Sequence, residues 1–121
     1  MLRRLLVLLL LAMSAGACGS SDNPVTPTPA PPNSTTITIR VGASNLGSNA
    51  YEPILATVSV GTLVSFFNND NTAHTSTANA GAWGSPNIAP GGRFNVTLTT
   101  AGSYPYHCSI HPGMTGTINV Q

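Results

Sequence analysis

Residues 36–41 read Thr36-Ile37-Thr38-Ile39-Arg40-Val41, with a β-branched apolar side chain at every second position. That period is what a strand with one buried and one wet face requires. The stretch before it differs in kind: Pro24, Pro27, Pro29, Pro31 and Pro32 stand among Ser, Thr and Asn, with almost no large apolar side chain. Chain of this composition cannot bury enough surface to fold, and its prolines keep it extended. The change near Thr36 marks a domain boundary. Residues 18–35 are expected to be a spacer and residues 36–121 the folded domain.

The alternation recurs downstream at Val58 and Val60, Val64 and Phe66, Phe94, Val96 and Leu98, then Ile118 and Val120. Turn-forming residues separate these runs: Gly42, Gly61, Asn68 to Asn71, Pro90-Gly91-Gly92, Ala101-Gly102 and Pro112-Gly113. No stretch of the domain shows a helical period. Short strands with no helix to cover a sheet face predict an all-β fold, two antiparallel sheets packed face to face as a sandwich.

Upstream of the spacer, residues 1–17 carry Arg3-Arg4, the apolar run Leu5 to Met13, and the small residues Ser14, Ala15, Gly16 and Ala17. A basic start, an apolar run too short for a membrane span and small residues at the end predict a signal peptide. Ala15-Gly16-Ala17-Cys18 resembles the lipobox of bacterial lipoproteins, with Ala15 where leucine is usual. The resemblance implies acylation of Cys18 and a periplasmic or cell-surface domain tethered to a membrane. Acyl chains contribute about 0.8 kcal/mol per buried CH₂.

Among 121 residues there is room for one core once a signal is removed. Lysine is absent, and beyond Arg3 and Arg4 the chain holds Arg40 and Arg93 against Asp22, Glu52 and Asp70. Nucleic-acid binding needs a clustered basic surface, so it is excluded. A monomer is expected. Cys18 and Cys108 each have a separate explanation, which argues against a disulfide between them. A free thiol outside the cytoplasm is open to oxidation unless a metal occupies it.

The chemistry concentrates in Tyr104-Pro105-Tyr106-His107-Cys108-Ser109-Ile110-His111-Pro112-Gly113-Met114. It offers a thiolate, an imidazole and a thioether at intervals of three residues, with Pro112 and Gly113 enforcing a turn. Soft sulfur and nitrogen donors select copper over hard cations. Zinc is the competitor, accepting Cys and His but preferring a fourth Cys, His or carboxylate to Met. A fourth donor must come from elsewhere. His74, which follows a strand and a polar loop, is the candidate. His107 adjoins Cys108 on a strand and should point to the opposite face.

These residues resemble the cupredoxins, the type 1 or blue copper family, over nearly all of residues 36–121. Cys108-x-x-His111-x-x-Met114 has the spacing of the amicyanin and pseudoazurin branches, and Pro112 after the histidine looks like amicyanin. The run from Tyr51-Glu52-Pro53 through Val58, Val60-Gly61-Thr62, Val64, Phe66, Asn68, Asp70 and His74 is similar to the family's other half. In isolation Cys108 reads equally as an inert buried thiol and Met114 as a core residue. Their joint spacing with His111 and His74 favours the metal site.

The resemblance implies a Greek-key sandwich in which His74, Cys108 and His111 surround one type 1 copper ion, with Met114 as a weak axial ligand. Relatives commonly carry Asn after the first histidine; here it is Thr75, whose hydroxyl can reach Ser109. The implied function is single-electron transfer outside the cytoplasm between Cu(I) and Cu(II), and no enzyme activity, because the ligands leave no position for substrate. Three histidines are too few for a multicopper cluster, and a binuclear site needs two bridging cysteines. A copper carrier or buffer is the alternative. The expected partner is a redox protein in transient apolar contact near His111, formed by Ile110, Pro112, Gly113 and the Ala89-Pro90-Gly91 turn.

Overall fold

Ile37 and Ile39 have no exposed surface, nor have Val64 and Phe66, so in these two runs the alternation puts those four side chains inside. The structure is a computed structural model and describes residues 33–121. The expected signal peptide, Cys18 and all but the end of the spacer lie outside the described residues. The strands are β1 (Ser34–Ile39), β2 (Tyr51–Glu52), β3 (Leu55–Val58), β4 (Leu63–Asn68), β5 (Thr77–Ala78), β6 (Arg93–Thr97), β7 (Gly102–His107) and β8 (Thr115–Val120). Among the described residues the helical segments are two short 3-10 turns, Ala43–Asn45 and Gly47–Asn49.

One sheet runs β2-β1-β4-β6 and the other β3-β8-β7-β5. The first contributes Ile37, Ile39, Tyr51, Val64 and Phe66 to the core, the second Ala56, Val58, Ala78, Tyr106, Ile118 and Val120. Full burial of each large aliphatic or aromatic side chain contributes about 1.5–3 kcal/mol. The Phe66 ring meets the Tyr106 ring edge-on at 5.2 Å, and Tyr51 meets Tyr106 at 4.9 Å. Two sheets are thus joined by an aromatic cluster directly beneath the loops that follow β4 and β7.

Both sheets are mixed, which corrects the expectation of purely antiparallel ones. β1 pairs with β4 in parallel, Ile39 opposite Asn68, and β3 pairs with β8 in parallel, Val58 opposite Val120. The chain leaves the first sheet after β2, runs through β3 in the second, and returns as β4 beside β1. Such a crossover brings a strand back in the direction of its neighbour, whereas a tight hairpin reverses it. The alternation also overshoots two strand ends. Val41 is 68% exposed beyond the end of β1, and Val60 is 46% exposed in the turn closed by Thr62 N–H to the Ser59 carbonyl.

Candidate metal centre

β4 ends in Asn68, a fully buried polar residue whose side chain organises the loop that follows. Its amide donates to the Thr72 carbonyl at 2.7 Å and the Ile88 carbonyl at 2.9 Å, while its Oδ1 accepts Asp70 N–H at 2.9 Å. Asp70 is held by this clamp. Its Oδ1 accepts the backbone N–H groups of Gly42 and Asn71, both at 2.9 Å, and its Oδ2 accepts from His74 Nε2 at 2.8 Å. Gly42 reaches it from a left-handed conformation (φ 75) that a side chain would strain. The His74 hydrogen bond, assisted by Gly42 and Asn71 and opposed by burial, holds the Asp70 carboxyl down to about 2.

His74 itself is fully buried and bridges Ile88 through backbone hydrogen bonds of 3.2 and 2.7 Å. With Nε2 donating to a carboxylate, its Nδ1 carries the lone pair. That nitrogen lies 3.9 Å from Cys108 Sγ.

Cys108 follows β7 as a free, fully buried thiol. The loop after it closes on itself: Met114 N–H donates to the His111 carbonyl at 2.9 Å, and Cys108 N–H donates to the Met114 carbonyl at 3.0 Å. Pro112 and Gly113 allow this turn, which returns Met114, 1% exposed, to the base of the loop beside Cys108. His111 is half-buried, and its Nδ1 is buried with no hydrogen-bond partner among the described residues. One donor atom each from His74, Cys108 and His111 lies within 4.8 Å of the other two.

Thr75 stitches the loop bearing His74 to the loop bearing Cys108 and His111. Its N–H donates to Cys108 Sγ at 3.3 Å, and its Oγ1 accepts Ser109 N–H at 2.7 Å and sits 2.9 Å from Ser109 Oγ. The hydroxyl therefore spans the gap where relatives commonly use an amide. Thr75 is fixed in turn by Tyr51, whose hydroxyl donates to the Thr75 carbonyl at 2.6 Å. Burial, and then the neighbouring Cys108 and Tyr106, push the Tyr51 phenol well above the ordinary tyrosine range.

His74, Cys108 and His111 are thus brought together, with Met114 at the foot of the same loop. His107 lies outside the cluster, its Nδ1 2.6 Å from Asn79 Oδ1. Asp70, Asn68 and Tyr51 support the site, yet the sequence shows them only as members of the run that resembles the family and, for Asn68 and Asp70, of a turn, with no role at the metal. Asp70 four residues before the histidine was the available signal. The donor set fits copper: one thiolate sulfur, one imidazole nitrogen freed by tautomer and one left unpartnered in a buried position.

A β-sandwich with a mononuclear nitrogen and sulfur site between two loops at one end defines the class. The chain belongs to the plastocyanin/azurin family of copper binding proteins, whose model matches residues 37–121. It is similar to the plastocyanin of Scenedesmus fuscus, 35% identical over 98 residues that cover 70% of this chain and 99% of the relative. A purple cupredoxin from Nitrosopumilus maritimus superposes with a TM-score of 0.67 at 29% identity, covering 72% of this chain and 99% of that one. A copper-containing nitrite reductase from Thermus scotoductus gives a TM-score of 0.62 at 28% identity, covering 76% of this chain but 23% of the reductase. Fold, donor set and family define a type 1 copper protein that transfers single electrons.

Proposed function

We propose that His74, Cys108, His111 and Met114 hold one copper ion and that the protein carries electrons outside the cytoplasm without catalysing a reaction of its own. The observation that carries this reading is the pair of imidazole nitrogens, His74 Nδ1 and the unpartnered His111 Nδ1, gathered with Cys108 Sγ within 4.8 Å. Copper bound there supplies a one-electron couple between Cu(I) and Cu(II). The protein's part is to hold the donors still. Loops tied through Thr75 and Ser109, and a histidine clamped by Asp70, need little rearrangement when charge changes.

His111 is the donor nearest solvent, flanked by exposed Ser109, Ile110, Pro112 and Gly113, none of them charged. This surface, with the exposed Ala89-Pro90-Gly91 turn after Ile88, suits a small transient contact with a redox partner. Four donors from the protein leave no position for substrate, and the third histidine of the chain is engaged with Asn79. The likeness to the nitrite reductase extends over less than a quarter of that enzyme. Complete burial of His74 and Cys108 favours retention of the ion over its delivery.

Export rests on residues 1–17 and on Cys18 as an acylated anchor, with the proline-rich spacer lifting the domain from the membrane. Among the described residues no helix is long and apolar enough to cross a bilayer.

The test is to load one equivalent of copper and cycle the protein between oxidised and reduced forms in the presence of a competing chelator. Retention of the metal through many cycles is expected. Transfer of the ion to the chelator within minutes, with sluggish redox reactions, would make it a copper carrier instead.

A further inference from the structure

The Asp70 carboxylate is 3% exposed, and among the described residues its ion-pair contact is with His74, with no arginine in reach. Burying a carboxylate is costly unless donors and positive charge compensate it. Donors are present: two backbone N–H groups on Oδ1 and one imidazole N–H on Oδ2. A compensating cation among the side chains is not. The next positive charge along the line Asp70, His74 would be the metal, on the far side of the imidazole ring.

We infer that Asp70 is a positioning residue: it locks His74 in the Nε2–H tautomer, so that Nδ1 presents its lone pair to the metal, and its negative charge favours copper(II) over copper(I). This rests on the reading of His74 as a ligand. A carboxylate can only accept, so Nε2 must donate, and an imidazole donating from one nitrogen coordinates through the other. Asp70 also ties the Gly42 turn to the loop that carries both itself and His74, so the ring is fixed in direction as well as in tautomer.

The donor count on each oxygen makes a sharp prediction for Asp70→Asn. Two N–H groups point at Oδ1 and one at Oδ2, so the amide oxygen belongs at the Oδ1 position. The NH₂ then faces His74 Nε2 and drives the ring toward the Nδ1–H tautomer, which cannot coordinate through Nδ1, the nitrogen that faces Cys108. Asp70→Ala imposes no tautomer. The isosteric variant is therefore expected to be the more damaging, the reverse of what a packing role would give.

The test uses the full chain. In the metal-free protein at about pH 8, where an ordinary imidazole is neutral, nitrogen-15 NMR should find His74 protonated at Nε2 in the wild type and at Nδ1 in Asp70→Asn. Copper(II) affinity should fall by at least about tenfold in Asp70→Asn and by less in Asp70→Ala. Because Asp70→Ala also removes the charge, copper(II) should weaken relative to copper(I), each tenfold raising the potential by about 59 mV. An Nδ1–H wild type, a larger affinity loss in Ala than in Asn, or an unchanged potential in Asp70→Ala would overturn the inference. Should Asp70→Asn fail to fold, the wild-type spectrum and the Asp70→Ala potential still decide. His74→Ala separates the two readings: if it retains full copper affinity, the ligand assignment fails, whereas loss there with silent Asp70 variants sinks only the role of Asp70.

Discussion

Thr75 Oγ1 accepts the Ser109 N–H at 2.7 Å, so one hydroxyl links the loop bearing His74 to the loop bearing Cys108 and His111. The contact extends the antiparallel pairing of β5 with β7, in which Thr77 lies opposite His107, to the end where the donors meet. Thr75→Val keeps the shape and removes the bond, leaving a partly buried N–H unpaired at a cost of about 1–3 kcal/mol. Each kcal/mol lowers the melting temperature of a domain this size by about 4–8 °C. Thermal melts of the metal-free protein check this; an unchanged midpoint would mean the loops are held by other contacts.

Tyr106 and Gly116 predict opposite outcomes for two small changes. Among the described residues the buried Tyr106 hydroxyl has no hydrogen-bond partner, and a Cβ on Gly116 would overlap Tyr106 Oη and Cζ. Tyr106→Phe deletes an unsatisfied group and should raise stability by about 1 kcal/mol. Gly116→Ala overfills the same spot and should lower it by about 1–3 kcal/mol. Urea midpoints read both signs, and a destabilised Tyr106→Phe would reveal a partner for the hydroxyl.

Raising the pH should weaken the fold. Burial holds Tyr51 and Tyr106 well above the ordinary tyrosine value of 10.0, in Tyr51 with help from Cys108. Folding thus favours the neutral phenols. Their contribution is complete below about pH 10, where the unfolded chain is also protonated, and is lost as pH climbs past it toward the folded values. Ionising Tyr51 would also break its bond to the Thr75 carbonyl. Denaturation midpoints at pH 8, 9, 10 and 11, chosen as about one-unit steps across the tyrosine range, should hold and then fall. A midpoint flat across that series would contradict it.

Electron exchange through the His111 surface should respond weakly to salt. Ser109, Ile110, Pro112 and Gly113 carry no charge, and screening acts over about 10 Å at 0.1 M salt. Placing a charge there with Ile110→Glu should slow exchange with an acidic partner severalfold and make the rate rise with added salt. Stopped-flow rates across a salt series check both; a steep salt dependence in the wild type would place the contact elsewhere.

Much of this could be read before any coordinates. Ile37 with Ile39 and Val64 with Phe66 announce half-buried strands because a pleat has a period of two, and their burial follows. Pairing direction was hidden, since β1 and β4 become parallel only through an excursion into the other sheet that no local pattern encodes. Val60 misled because alternation says nothing about where a strand stops. At the site, Cys108, His111 and Met114 were legible from one contiguous loop, whereas His74 had to be chosen among three histidines. Asp70 stood in the family-like run, but its role was not legible. An acidic residue in an Asn-rich turn looks like turn chemistry until the fold brings Gly42 and His74 to its two oxygens.

The most direct test is to add Cu(II) to the protein and record visible absorption and EPR spectra beside a Cys108→Ser variant. An intense thiolate-to-copper band with one ion bound, absent from Cys108→Ser, is expected. A colourless protein that retains zinc, or a band that survives loss of the thiol, would contradict a type 1 copper site built on Cys108.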